Sequence, residues 1–286
     1  MLFSPGTIAI SMSRLKLVTI TGADERNDIK DLAKLSREFP FVEWAFLFSQ
    51  TRTGLESRYP SLKWLSETSE LQAHKAVHLC GRMARQSLLD FSPYEGVVDA
   101  LIGNVRRVQI NVSDSLARHE PVNWNKLLQW THFRKQDNPM QLIIQVKRWE
   151  DAAGLSSHSD WIRPSIVVPR KCDQNRMTIF NYPRSISMLH DASGGRGIPT
   201  ESYELPPEGL QLKASKRAQN RSLFGFAGGI SPENVESKIQ QIMDLGDFDF
   251  WIDMESAVRT NDVLDLDKVA QVLSTCKRYI KNDKSL

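Results

Sequence analysis

Phe226-Ala227-Gly228-Gly229-Ile230-Ser231-Pro232 joins an apolar, strand-length run (Leu223 to Ala227) to two glycines and then to a helix start. Ser231 stands where an N-cap belongs, and Pro232 takes the first helical position. Paired glycines let the backbone come within hydrogen-bonding distance of a ligand. The helix start adds free N–H groups and a partial positive charge. Strand, Gly-Gly and capped helix together make a corner suited to phosphate. A Gly-Gly turn before a helix is structural at least as often as functional, so its neighbours decide its weight.

Outward from this corner, the chain repeats an apolar strand followed by an amphipathic helix. Strand candidates run at Leu15–Thr21, Glu43–Phe48, Ala73–Cys80, Arg107–Val112, Gln141–Lys147, Ser185–Asp191, Ser222–Ala227 and Asp249–Asp253. Helical spacing recurs behind them: Ile29, Leu32 and Ala33; Val235, Ile239, Ile242 and Met243; Val269, Val272, Leu273 and Cys276. Met83 to Leu89 and Asn123 to Trp130 are further helix candidates. Eight strands alternating with helices predict an α/β fold, a (β/α)8 TIM barrel, with a doubly wound open sheet as the other architecture. The expected organisation is an N-terminal tail over 1–13 and one barrel domain over 14–286. The segment from Arg148 to Arg184 is irregular and longer than an ordinary connection, and reads as an insertion between strands 5 and 6.

A chain of 286 residues with 41% hydrophobic content can bury one large core. Its 37 basic and 34 acidic residues are well mixed, and no basic block suggests a nucleic-acid surface. No run reaches a membrane span, and no signal peptide is read at the start. Cys80, Cys172 and Cys276 are too scattered for a disulfide framework, which fits a reduced, cytoplasmic setting. No His or carboxylate cluster has metal-ligand spacing, and no cofactor is called for.

Period-two alternation places polar groups on one strand face: Thr19 and Thr21, His78 and Cys80, Gln109 and Asn111, Gln145 and Lys147. In a barrel that face is the lumen, and its C-terminal end is the floor of an active site. His78 alone could be a satisfied core histidine. Beside Cys80 and opposite Lys147, a catalytic or ligand-contacting role weighs equally. Cys80 reads as a small core residue, Trp251 as packing, and Lys147 as a rim charge or a partner for phosphate or carboxylate. His190-Asp191 is an ionisable pair leading into Gly194, Gly195, Arg196 and Gly197. Asp191 could trade protons with a substrate there, or merely cap an Asx-turn.

In their order these motifs resemble the phosphoribosylanthranilate isomerase family, the tryptophan-pathway barrel. Met188-Leu189-His190-Asp191-Ala192-Ser193-Gly194-Gly195-Arg196-Gly197 is similar to its Leu-Leu-Asp followed by Gly-Gly-Thr-Gly. Ala227 to Val235 is similar to its Ala-Gly-Gly-Leu-(Asn/Thr)-Pro-Glu-Asn-Val. Ile252-Asp253-Met254-Glu255-Ser256-Ala257-Val258-Arg259 resembles its Val-Asp-Val-Ser-Ser-Gly-Val-Glu. Ile20-Thr21-Gly22, Arg58-Tyr59-Pro60-Ser61 and Val108-Gln109-Ile110 resemble its earlier Ile-Cys-Gly, Ser-x-Arg-Tyr and Val-Gln-Leu. The resemblance implies phosphate held by backbone at Gly228, Gly229, Ser256 and Ala257, with Gly194 and Gly195 alongside and Asp191 in the general-acid position. It also implies a first-strand cysteine as general base, and Thr21 stands there instead. A threonine hydroxyl is no comparable base near neutral pH. The family's His-Gly-Asp-Glu is replaced by Asn111-Val112-Ser113-Asp114.

The function expected is therefore an isomerase-like, proton-shuttling enzyme on a phosphorylated sugar or ribosyl compound. Asp191 is the first acid–base candidate, His78 the replacement base, and Lys147 a stabiliser of negative charge. The alternative is a non-catalytic barrel that binds or senses a phosphorylated metabolite or nucleotide. A barrel with no surviving pocket is the third reading. It would make Gly228 and Gly229 purely structural.

Overall fold

In a computed structural model of the chain, strands β1 (Arg14–Thr21), β2 (Val42–Phe48), β3 (His74–Leu79), β4 (Arg107–Ile110) and β5 (Gln141–Val146) run parallel side by side. The chain then forms β6 (Ile166–Val168) and β7 (Thr178–Phe180), which pair only with each other. β8 (Ile186–His190), β9 (Leu223–Phe226) and β10 (Asp249–Met254) resume the parallel sheet, and β10 pairs with β1 to close the barrel. The structure describes residues 14–87, 89–90, 105, 107–111, 123, 141–149, 166–168, 178–180, 186–193, 198–205, 223–246 and 248–280. The expected tail (1–13), the helix expected at Asn123–Trp130 except Asn123, and Gly194 and Gly195 lie outside them.

The eight-stranded barrel matches the architecture expected from strand–helix alternation, with slightly shifted strand bounds. The barrel strands turn an apolar set outward, such as Trp44 and Phe46 on β2 or Phe250 and Ile252 on β10. The helices Ile29–Glu38, Val235–Asp244 and Leu266–Cys276 cover that layer with Leu32, Ile239 and Val272, which are buried at the expected helical spacing. Trp44 also donates its indole N–H to Ser36 Oγ at 2.8 Å, tying strand to helix.

Three details depart from the sequence reading. The helix after β9 begins at Val235, so neither Ser231 nor Pro232 is its cap or first residue. Asn234 folds back instead: its Oδ1 accepts from Ser231 N at 2.8 Å, and its Nδ2 donates to the Gly229 carbonyl at 2.9 Å. The irregular stretch after β5 carries the β6–β7 hairpin, an antiparallel pair outside the barrel. His190 and Asp191 do not act as a pair. Adjacent strand residues face opposite ways, and the His190 ring stacks on Trp149 in the outer layer at 5.1 Å between centroids.

The lumen is a filled core. Arg107 Nη1 donates to Glu43 Oε1 at 2.7 Å, and Thr19 donates to the same oxygen at 2.8 Å. Arg107 Nε continues to Gln141 Oε1 at 2.8 Å, and Gln141 Nε2 to Ser187 Oγ at 2.7 Å. The guanidinium lies over Trp251, 4.2 Å from its ring centroid. Trp251 fills the space beside Gly225, where an added Cβ would stand 2.2 Å from the indole. This layer is the platform beneath the site.

Candidate functional site

Above that platform, the C-terminal strand ends open into a cleft. Its floor is built by inward residues of six strands or the positions just past them: Thr21, His78, Gln109, Gln145, Asp191 and Asp253. One wall is the backbone turn Gly228-Gly229-Ile230, and another is Glu255-Ser256-Ala257 after β10. The cleft thus brings together Thr21, His78, Asp191, Gly228, Gly229, Ser256 and Ala257 of the residues singled out in the sequence. Lys147 is not among the described residues that line it. β5 ends at Val146, and once the strand stops its alternation no longer sets the direction of the next side chain. Cys80, just beyond β3, is also outside the lining. Its sulfur accepts from Asn111 Nδ2 at 3.3 Å, and burial pushes the thiol up to about 12.

Gly228 and Gly229 both take positive φ, +110° and +62°. A Cβ on Gly228 would stand 2.3 Å from Thr200 Oγ1, and one on Gly229 would stand 2.5 Å from Pro199 Cα. The segment at 198–200 therefore packs on the corner from behind, and Thr200 N donates to the Gly228 carbonyl at 3.2 Å. Packing and φ alone account for glycine at both positions. The same packing holds the turn against the cleft.

Two of the carboxyl groups that line the cleft, Asp191 and Asp253, lie on its floor in different settings. Asp191 accepts from Gln145 Nε2 at 2.9 Å, and from Ser193 N at 3.0 Å and Ser193 Oγ at 2.7 Å. Asp253 accepts from the Thr21 hydroxyl at 2.8 Å. Burial pushes Asp253 up to about 8, with the Thr21 hydrogen bond opposing and Glu255, Asp191 and Glu43 adding to the rise. Asp253 therefore holds its proton at neutral pH. Thr21, in place of a base, is a donor to this acid.

His78 is driven the other way. Burial, with the Arg107 charge below, lowers it to about 3, so the ring is neutral and a poor proton acceptor near pH 7. Gln109 Nε2 lies 3.4 Å from His78 Nδ1 and 2.9 Å from Asn111 Oδ1.

The segment at 49–61 reaches the cleft wall through Arg58. Arg58 sits at φ +72°, held by its own N–H to Asp24 and by side-chain ion pairs to Glu255 and Asp262, each at 2.8 Å. Arg58 Nη1 also reaches Ser256 Oγ at 3.2 Å. Burial raises Glu255, and the Arg58 partnership offsets part of that rise.

Sequence reasoning did not place Asp253 or Glu255 in the site. Asp253 shares the inward parity of Trp251 at the end of β10, which was the available signal. Among the described residues, no group of three or more His, Cys, Asp or Glu is arranged to hold a metal ion. None of their helices is long and apolar enough to cross a membrane.

No family model matches the chain, and no curated protein matches it. Solved structures do. A phosphoribosyl anthranilate isomerase in complex with reduced 1-(o-carboxyphenylamino)-1-deoxyribulose 5-phosphate is 16% identical over 92% of this chain and 100% of that one, with a TM-score of 0.50. The likeness is one of fold. The phosphoribosyl anthranilate isomerase from Thermotoga maritima is 15% identical over the same shares, with a TM-score of 0.48. That from Pyrococcus furiosus is 14% identical over 92% of this chain and 98% of that one, with a TM-score of 0.46. The chain has a TIM-barrel fold, shared with the first of these structures.

Proposed function

We propose that the barrel binds a phosphorylated sugar or ribosyl compound at its C-terminal mouth and moves a proton next to a carbonyl or imine of that ligand. One observation carries the reading: the Gly228-Gly229-Ile230 and Ser256-Ala257 turns share a single cleft with Asp191, Asp253 and His78. The turns supply backbone N–H groups for a phosphate, and the floor supplies acid–base groups. The ligand in the isomerase of similar fold is itself a ribulose 5-phosphate derivative.

In this reading Asp253 donates the proton, Thr21 orients its carboxyl, and Asp191 is placed to take a proton. Neutral His78, on the same floor, is the candidate donor to the reacting oxygen. Gly194 and Gly195 are proposed to border the phosphate, and Lys147 is left without a catalytic part. Thermal unfolding with phosphosugars, each paired with its unphosphorylated form, tests the binding. A ligand at a hundred times its Kd stabilises by roughly 2.7 kcal/mol. Stabilisation by free sugar and phosphosugar alike refutes the phosphate corner.

Thr21 in the place of a catalytic base favours a second reading, a barrel that binds without turnover. Asp191→Asn separates the two: an enzyme keeps binding and loses turnover, whereas a binder converts no stabilising ligand before or after the change.

A further inference from the structure

We propose that the cleft takes up a proton together with its phosphorylated ligand: anion binding at the mouth and protonation of Asp253 favour each other, and the site loosens its ligand as the solution turns alkaline. It rests on the phosphate reading given above and adds how that same site is regulated.

Three carboxyl groups, Asp191, Asp253 and Glu255, share the lining with the two backbone turns. Asp253 is the penultimate residue of β10, Glu255 follows the strand, and Ser256 comes directly after it. An anion held at Ser256 or at Gly228-Gly229 therefore sits in the same cleft as these carboxyl groups. Their partners differ. Glu255 is met by the Arg58 guanidinium at 2.8 Å, and Asp191 by N–H groups of Gln145 and Ser193, all of which only donate. Asp253 is buried, and it is met by the Thr21 hydroxyl at 2.8 Å. A hydroxyl donates to a carboxylate and can turn to accept from a carboxylic acid, so this pairing survives a change of protonation.

The charges around Asp253 set the direction of the coupling. Burial raises it to about 8, and Glu255 beyond β10, Asp191 beyond β8 and Glu43 of β2 add to the rise. Three guanidinium groups stand nearby, each with partners of its own. Arg107 of β4 lies one layer down, against Glu43 and over Trp251. Arg58 pairs with Glu255 and Asp262, and Arg259 donates to the carbonyls of Gly22 and Asp262. His78 of β3 is neutral. A bound phosphate adds negative charge to this set and so strengthens the hold of Asp253 on its proton. Linkage is reciprocal, so the proton strengthens the hold on phosphate by the same factor. The proton taken up is the one Asp253 would donate, and an occupied cleft is thereby a loaded one.

The test is isothermal titration of the whole chain with ribose 5-phosphate, and with ribose as the unphosphorylated control, from pH 7.5 to 9.5. A phosphate monoester, with its second ionisation near pH 6, is a dianion throughout that range, so the probe itself does not titrate. Ribose 5-phosphate is expected to bind about tenfold more weakly at pH 9.5 than at pH 7.5. At pH 8.5, buffers of different ionisation enthalpy should report uptake of about half a proton or more per ligand bound. Asp253→Asn is expected to bind with an affinity that does not change across the range. Constant affinity without proton uptake in the parent overturns the inference and leaves the phosphate corner standing. So does a pH dependence that persists in Asp253→Asn. If that variant does not fold, the buffer series on the parent decides by itself. If ribose 5-phosphate binds no better than ribose at any pH, the phosphate reading falls and the inference falls with it.

Discussion

Asp253→Asn should flatten the pH dependence of stability, because Asp253 is the group whose protonation differs most clearly between the folded and unfolded chain. Folded, its carboxyl titrates near 8. Unfolded, it returns to about 3.9. Between about pH 5 and 7 the folded state holds this proton and the unfolded state has released it. Unfolding then releases a proton, so stability falls as pH rises, by about 1.4 kcal/mol per pH unit from this group alone. From pH 5 to 7 the loss is about 2.7 kcal/mol. It levels off above the folded value near 8 and vanishes below about 4, where both states are protonated. Asparagine keeps the shape and the oxygen that accepts from Thr21 but has no proton to release. Glu255, Asp191 and Glu43, the charges that face Asp253, are common to both proteins and largely cancel in the difference. Urea unfolding at pH 5, 6 and 7 should show the stability of the variant rising relative to the parent by about 2.7 kcal/mol across the range. Parallel profiles would mean that Asp253 is ionised in the folded protein, and the assignment of this group as the acid would fail.

The buried Arg107–Glu43 pair should behave as a unit: Glu43→Gln strands the guanidinium and should cost about 3–5 kcal/mol, while Glu43→Leu with Arg107→Met recovers most of it. A loss below about 1 kcal/mol in the single variant, by urea denaturation, would show that the pair is not buried as described. Gly225→Ala drives a methyl into Trp251 and should destabilise by about 1–3 kcal/mol, and an unchanged melting curve would contradict that contact. Cys80 and Cys276 are buried, with thiols pushed up to about 12. At pH 8 an aromatic disulfide reagent should therefore modify at most one of the three cysteines in native protein and all of them after unfolding. Rapid reaction of two in the native state would rule out that packing.

Much of the architecture is local and was legible in the sequence. Period two on β3, β4 and β5 marked His78, Gln109 and Gln145 for the lumen, and the structure turns Val77, Val108 and Ile144 to the outer layer. The 3.6-residue period marked Val235, Ile239 and Ile242. Glycines before a helix marked the corner. These patterns depend only on which way successive side chains point, and that follows from backbone geometry within one element. The chemistry of the site depends on closure. Thr21 meets Asp253 across 232 positions because β10 pairs with β1, and Arg107 finds Glu43 across the lumen 64 positions away. Burial then sets the protonation of His78 and Asp253 in opposite directions, turning an expected base into a neutral donor and an unremarked aspartate into an acid. The sequence by itself determined the strands, the helix faces and the polar lumen. Only the tertiary structure decided which polar groups share a proton or a charge, because those energies depend on distance and desolvation, which arise when the eighth strand closes on the first.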